Sequence, residues 1–226
     1  MLHSMITKST LDFLKKLEQN NNREWFTENK PEFKEHQTVV KGFATQIMDN
    51  LNKHDEIEKM KLFRIYRDVR FSKDKTPYKA HFSISFARVG AKLRGGYYLQ
   101  IKPGDSFVAT GFWAPEPADL LRIRKEFELD STEIREVIED NNFKEIWGDI
   151  VGDSVKTSPK GFDKTDPNID LIKRKQFIFV KKFTDKQVLS KNFSSDIDIA
   201  YQSIRPFFDL MSSILTTNLN GESLVD

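Results

Sequence analysis

The hydrophobic and polar positions of the chain change period near residue 62. Before that point apolar residues recur at helical spacing, which predicts helices over Leu11–Gln19, over Arg23–Asn29 and from Pro31 to about Lys53. Ser9 or Thr10 is the predicted N-cap of the first helix, and Pro31 suits the first turn of the third. The first sixty residues are therefore predicted to be helical.

Between residues 62 and 113 apolar and polar side chains alternate, which is typical of strands with one buried face. The clearest case is Phe82, Ile84 and Phe86, which alternate with polar neighbours. Glycine and proline turns separate the alternating runs. Strands are predicted over residues 63–70, 82–86, 97–102, 106–113 and, later in the chain, 176–183. This pattern predicts an antiparallel sheet that is apolar on one face and polar on the other.

Helical spacing returns after Pro115, with three helices predicted between residues 120 and 147. A loop rich in Gly, Pro, Ser and Asp is expected over residues 152–168, and a final helix over residues 196–219, interrupted near Pro206. No repeat or linker is evident. The predicted fold class is α+β: one domain over residues 1–226, with a mainly antiparallel sheet, helices packed on its apolar face, and helical N- and C-terminal segments.

Composition narrows the chemistry available to this fold. The chain has 19 Phe, so broad aromatic packing is expected in the core, and it has no Cys, which excludes disulfides, thiolate chemistry and Cys-ligated zinc. No P-loop, dinucleotide fingerprint or zinc-protease motif occurs, so no cofactor is indicated. With no signal peptide and no long apolar run, we expect a cytoplasmic protein without a membrane partner.

Charge is distributed unevenly. The net charge is only +2, but residues 61–102 carry eleven Lys and Arg against Asp68 and Asp74, so that segment is +9 and the remainder is −7. Two carboxylates cannot neutralise eleven cations by pairing, and a local excess of this kind repels itself unless acidic neighbours, solvent or an anionic ligand offset it. The candidate functional surface is therefore the cationic segment Arg64–Phe82.

If residues 64–70 stay extended, alternate side chains of this segment lie on opposite faces. One face would carry Arg64, Tyr66, Asp68 and Arg70, an arrangement that suits an anion because guanidinium groups bind carboxylate or phosphate through two parallel hydrogen bonds. The other would carry four apolar residues and Arg67, for which an internal partner is expected. The apolar residues are Phe63, Ile65, Val69 and Phe71.

The segment Ser72–Lys79 reads as a loop, because Thr76-Pro77 disfavours a helical turn. The candidate ligand-binding residues are Arg64, Tyr66, Arg67, Arg70, Lys75 and Lys79. The candidate catalytic residues are Asp68, Tyr78 and His81. In that role Asp68 would act as a base if its surroundings raised its pKa, and Tyr78 or His81 would handle protons.

A structural interpretation stands beside each of these assignments. Arg–Asp–Arg ladders also stabilise exposed sheet faces, Tyr78 can simply pack, and a lone strand histidine such as His81 is usually structural. The carboxylates of Asp163, Asp166 and Asp170 could hold a hard metal ion, but Asp beside Gly or Pro is usually turn chemistry, so no metal site is predicted.

The segment that begins at Arg64 also resembles a known family. Arg64-x-x-Arg67-Asp68-x-Arg70-Phe71-x-x-x-Lys75-x-Pro77-Tyr78-Lys79 is similar to the signature of the DUF2461 proteins, a mostly bacterial family of about this length. The resemblance extends to Trp25-Phe26, Gly96-Tyr97-Tyr98, Gly111-Phe112-Trp113, and Pro159-Lys160-Gly161-Phe162-Asp163 leading into Asp170-Leu171-Ile172. Asp166 departs from it, since His is expected there in relatives, which weakens any role for an imidazole. The resemblance implies one domain of this type and no established activity.

Three functions remain open from the sequence. The first is binding of an anionic small molecule, carrying phosphate or carboxylate, through the cationic sheet and loop. The second is an enzyme acting on a phosphoryl or carboxyl substrate, with Arg64, Arg67 and Lys75 stabilising negative charge. The third is a nucleic-acid partner on the basic sheet face, with Tyr98 or Trp113 stacking on bases; the acidic remainder of the chain argues against extensive wrapping.

Overall fold

A computed structural model describes residues 5–225 of the chain. Its helices are α1 Lys8–Gln19, α2 Arg23–Glu28, α3 Lys30–Leu51, α4 Pro117–Leu129, α5 Thr132–Glu139, α6 Asn141–Trp147, α7 Ile169–Ile172, α8 Asp185–Val188, α9 Phe193–Ser203 and α10 Arg205–Thr216. Its strands are β1 Ile57–Leu62, β2 Phe82–Arg88, β3 Gly96–Ile101, β4 Ser106–Phe112 and β5 Phe177–Phe183. The α+β fold class predicted from the sequence is confirmed.

The five strands form one open antiparallel sheet in the order β1-β2-β3-β4-β5. Alternation in β3 shows how the sheet divides its faces: Tyr97, Leu99 and Ile101 are buried, while Tyr98 between them is half-buried. At Gly111 in β4 the backbone has φ +117°, and a Cβ there would lie 2.0 Å from the carbonyl oxygen of Phe177 in β5. Only glycine allows these two strands to come so close.

The chain forms two compact units. The first contains residues 5–86, 98–108 and 182–199, and the second contains residues 87–97, 109–181 and 200–225. Each unit has its own helices on apolar strand residues. The single domain predicted over residues 1–226 stays a prediction.

Phenylalanine dominates the packing of both units, as its abundance predicts. In the first unit Phe33 of α3 stacks on Phe82 of β2, with ring centroids 5.7 Å apart. In the second, Phe207 of α10 packs edge-on against Phe179 of β5 at 5.0 Å. Such ring pairs add to the stabilisation given by burial alone.

The helical predictions hold with small shifts. Thr7 caps α1 by accepting a hydrogen bond from the backbone N–H of Thr10, so the predicted caps at Ser9 and Thr10 are wrong by two or three residues. Thr10 is instead buried and its hydroxyl bonds His36 at 3.2 Å. Pro31 does lie in the first turn of α3, and the break at Pro206 separates α9 from α10.

The strand predicted over residues 63–70 is wrong: β1 ends at Leu62. The N–H of Phe63 donates to Ser83 O, and the N–H of Lys79 donates to Ile65 O. Between these two bonds the chain advances two residues on one side, from 63 to 65, and four on the other, from 79 to 83. The extra residues, Ala80 and His81, form a bend, and His81 therefore precedes β2 instead of lying in a strand. This bulge interrupts the regular ladder.

The length and polarity of the helices decide whether any of them could cross a membrane. Across residues 5–225, each helix is either too short or too polar to cross a bilayer.

Candidate functional site

The 66–78 loop is anchored at its base. Tyr66 and Tyr78 form an isolated antiparallel bridge. The side chain of Asn21 bonds both backbone groups of Tyr78, accepting from its N–H at 3.1 Å and donating to its carbonyl at 2.9 Å. The Tyr78 ring is buried and stacks on Phe26 with centroids 4.0 Å apart. The predicted alternative, that Tyr78 packs, therefore describes its surroundings.

Inside the loop, Arg67 and Lys75 are held by the loop itself. The Arg67 guanidinium donates to the carboxylate of Asp74, to the Thr76 hydroxyl and, at 3.2 Å, to the Thr76 carbonyl. The backbone N–H of Thr76, then Arg67 and the Thr76 hydroxyl, lower the pKa of Asp74 to about 2. The Lys75 ammonium donates to the carbonyl of Val69 at 2.9 Å. Both predicted ligand residues thus stabilise the loop.

Arg70 and Asp68 neutralise each other at the loop surface. Arg70 donates to the two carboxylate oxygens of Asp68 at 2.9 and 2.6 Å, and both side chains are exposed. The bond from Arg70 is the main cause that lowers the pKa of Asp68. Arg64, Tyr66, Asp68 and Arg70 are all exposed, as the alternation predicts. However, the Arg70 guanidinium is already bonded to the carboxylate of Asp68. The Tyr66 ring packs against Phe26, with ring centroids 6.0 Å apart.

Phe71 lies at the outer end of this loop, and its side chain is 97 % exposed. The prediction that it faces the apolar side with Ile65 is wrong, because Ile65 is buried and Phe71 contacts solvent. The extended register ends at Arg70, where the chain bends: the N–H of Ser72 donates back to Val69 O at 3.3 Å.

A second group of cations surrounds Phe63. The ammonium groups of Lys61 and Lys79 lie 4.9 and 5.6 Å from the centre of its ring. Burial and then the charge of Arg64 lower the pKa of Lys79, so Arg64 belongs to the same group. Within residues 5–225, Lys61, Arg64 and Lys79 make no ion pair.

His81 extends this group. The pKa of its imidazole is lowered to about 4. Burial is the main cause, the positive charges of Lys79 and Lys102 also lower this pKa, and Asp105 raises it by a smaller amount. The ring is therefore neutral at pH 7. Lys102 is paired with Glu18 of α1 at 3.3 Å, so a carboxylate neutralises this one cation. We give the name cation cluster to Lys61 and Lys79, which lie over the Phe63 ring, together with Arg64 and His81, which interact electrostatically with Lys79.

Aromatic rings border the cation cluster. Tyr98 of β3 lies 6.5 Å from Phe63 and 5.8 Å from Phe107 of β4, measured between ring centroids. Burial raises the pKa of Tyr98, opposed by a hydrogen bond with Ser83. The sequence patterns did not place Lys61, Phe63 or Phe107 in a site. The available signal was the two-residue spacing of Lys61 and Phe63, which puts side chains of an extended chain on one face.

The three candidate catalytic groups all have pKa values that move away from neutrality. The pKa of Asp68 is lowered by Arg70, and that of Tyr78 is raised chiefly by burial. That of His81 falls to about 4. A general acid or base works best with a pKa near the operating pH. The condition set for Asp68 to act as a base, a raised pKa, is not met.

The remaining candidates have structural surroundings. Asp163 accepts from the N–H and hydroxyl of Thr165, Asp166 accepts from the N–H of Asn168, and Asp170 pairs with Arg135 at 2.7 Å. These are turn and ion-pair roles. Nowhere in residues 5–225 do three His, Asp or Glu side chains gather as a metal site would require.

A shallow groove of about 600 Å³ lies beside the 66–78 loop. Of the predicted ligand residues, Lys75 lines it, together with the N-terminal end of α2. Arg64, Arg67, Arg70, Tyr78 and Lys79 are not part of its wall. The predicted residues therefore divide between a loop that uses its charges internally and the cation cluster.

Comparison with known proteins shows which family the chain belongs to. Among the curated proteins no significant match is found. The sequence profile of a family described as "Conserved hypothetical protein (DUF2461)" matches residues 9–210 of the 226. That span runs from α1 through α9 and takes in the first half of α10. The chain therefore belongs to the DUF2461 family.

Proposed function

We propose that this protein binds an anionic small molecule, carrying phosphate or carboxylate groups, at the cation cluster. The observation that carries the proposal is the placement of Lys61 and Lys79 over one ring, Phe63, with Arg64 near enough to lower the pKa of Lys79. Like charges gathered around one ring repel each other unless solvent or an anion offsets them. An oxyanion between them would reverse that repulsion.

Each residue of the cluster has a distinct role in this proposal. Arg64 offers a planar fork for two anion oxygens, and Lys61 and Lys79 act as point charges. The neutral His81 donates one ring N–H. Arg67 and Lys75 hold the shape of the loop, and the charge of Arg70 is already met by Asp68. In the bacterial cytoplasm that the sequence predicts, phosphorylated metabolites are the natural ligands of such a site.

Binding is favoured over catalysis by the pKa directions. Because Asp68, Tyr78 and His81 all move away from neutrality, none is set to exchange a proton at pH 7. The enzyme alternative would need a proton-transfer group from elsewhere.

The proposal is tested by calorimetric titration of pyrophosphate at low ionic strength. Arg64→Gln and Lys79→Gln should each weaken binding at least tenfold, because each removes a cation that has no carboxylate partner among residues 5–225. Arg70→Gln is the matched control, since its charge is already met by Asp68, and it should change the affinity less than twofold. An equal loss in all three variants, or no loss in the first two, would contradict the proposed site.

A nucleic-acid ligand is the second candidate, favoured by the rings of Phe63, Tyr98 and Phe107 beside the same cations. Bases stack on such rings while phosphates contact lysine. Binding of oligo-dT should then fall steeply with salt and fall further in Tyr98→Leu. If pyrophosphate binds and oligo-dT does not at low salt, this candidate is dismissed and the first stands.

A further inference from the structure

The second unit contains a cavity of about 250 Å³ that the proposed function does not use. Its volume is about eight times the roughly 30 Å³ that one water occupies in the liquid, which is the size class of a small metabolite. Part of its wall is apolar, formed by Ile138, Ile150 and Leu171. Its charged wall residues are Arg135, Lys144, Arg174, Glu139, Asp149 and Asp170.

Pairing within the wall leaves a few charges available. Arg135 donates to the two oxygens of Asp170 at 2.7 and 3.4 Å and lies 3.9 Å from Glu139. Within residues 5–225, Arg174 and Lys144 make no ion pair, and neither does Asp149. The cavity therefore presents free charges of both signs.

Arg174 is held firmly at this wall. Arg124 donates to its carbonyl at 3.0 Å, and its backbone forms an antiparallel bridge with Ser154. Its Nε is buried and has no acceptor in the described part of the chain. Burial lowers the pKa of Arg174, whereas the nearby Asp170 and Asp149 raise it. The part of the Arg174 guanidinium that lines the cavity has no carboxylate partner within residues 5–225, so it is available to a ligand oxygen.

We propose that this cavity binds a zwitterionic α-amino acid with an aliphatic side chain. Its carboxylate would bond the Arg174 guanidinium, its ammonium group would face Asp149, and its side chain would lie against Ile150 and Leu171. A simple anion fits less well, because Asp149 and Asp170 would repel it. A ligand that carries both charges satisfies both free groups at once.

The test is calorimetric titration of the full chain with L-leucine, L-leucinamide and 4-methylpentanoate at equal ionic strength. Leucinamide lacks the carboxylate and 4-methylpentanoate lacks the ammonium group. L-Leucine should bind with a dissociation constant in the millimolar range or tighter, and each analogue at least tenfold more weakly. Equal binding of 4-methylpentanoate would overturn the zwitterion assignment, and no leucine binding at 20 mM would overturn the site.

Two variants locate the binding. Arg174→Gln should weaken leucine binding at least tenfold, and so should Asp149→Asn. Because Asp149 is exposed, the second variant should keep its fold even if Arg174→Gln loses stability, which thermal unfolding checks. Lys160→Gln removes an exposed charge of the same unit outside the cavity wall and is the control. Binding unchanged in Asp149→Asn, or weakened equally in Lys160→Gln, would overturn the proposal.

Discussion

The 66–78 loop and the cation cluster come from one basic stretch of sequence and lie in one unit, yet their cations have opposite surroundings. In the loop, Arg67 and Arg70 each face a carboxylate and Lys75 faces a backbone carbonyl. In the cluster, Arg64 and Lys79 have no carboxylate partner within the described residues. An excess of charge in a sequence therefore marks a region, and the placement of a few acidic residues decides which cations are available to a ligand.

The physical reason lies in the acceptors within reach. Asp68 and Asp74 both belong to the loop, and its bends bring them to Arg70 and Arg67. In the cluster, Lys61, Arg64 and Lys79 make no ion pair with a carboxylate of residues 5–225. Repulsion persists in the cluster, where an external anion can offset it.

The largest effect should come from breaking the base of the loop. Tyr78→Ala removes a buried ring stacked on Phe26 and should lower the free energy of unfolding by about 3–5 kcal/mol, as for other buried aromatic truncations. Urea unfolding measures it. Phe71→Ala truncates an exposed ring of the same loop and should change stability by less than about 0.5 kcal/mol. Comparable losses in both variants would show that the loop is not anchored at Tyr78.

A smaller effect should follow from removing one internal charge of the loop. Arg67→Met removes one of the donors to Asp74 and the guanidinium bonds to the hydroxyl and carbonyl of Thr76, and should cost about 1 kcal/mol. Its control is Arg70→Met, whose exposed ion pair should leave the urea midpoint unchanged. If Arg70→Met destabilises the protein as much as Arg67→Met does, the partly buried Arg67 stabilises the loop no more than the exposed Arg70.

The cluster should reveal itself by titration. Burial lowers the pKa of His81 and Lys79 lowers it further, so Lys79→Met should raise that pKa from its value of about 4. NMR of the imidazole protons against pH measures it. Arg70→Met should leave the His81 pKa where it is, because Arg70 is not among the causes of its shift. If the pKa of His81 is the same in Lys79→Met as in the unmodified protein, the two side chains do not interact electrostatically.

The same imidazole sets a modest pH dependence of stability. Its pKa is about 4 in the folded protein and about 6.5 when unfolded, so the unfolded chain binds the extra proton between these values. The stabilisation from neutral His81 is complete above pH 6.5 and is lost as pH falls from 6.5 toward 4. In His81→Asn the decline in unfolding free energy over this window should be shallower. An identical decline would assign it to other groups.

Sequence patterns located the strands that bury one face and missed the one that does not. In β2 and β3 the alternation is clear because one set of side chains packs under helices. In β1 only Ile57 is buried, so the strand carries almost no hydrophobic signal. The helices α7 and α8 have four residues each, too few for a period to be visible.

The sequence pointed to the region of the candidate site, but it did not predict which arginines of that region pair with carboxylates. Burial alternates from Arg64 to Arg70 as predicted, but the backbone there is a loop, since a bulge at Ala80 and His81 shifts the opposite arm. Which carboxylate each arginine meets depends on that bend. A one-dimensional pattern carries no information on the contact between Arg67 and Asp74, seven residues apart.

The exposure of Phe71 offers a spectroscopic use of the 66–78 loop. The chain has no cysteine, so Phe71→Cys would introduce a single thiol at a position whose side chain is almost fully exposed. A fluorophore attached there would report on the loop in an otherwise native protein, without the usual removal of other thiols. Its anisotropy would measure how rigidly the anchors at Asn21 and Tyr78 hold the loop, and its emission would show whether a ligand reaches it.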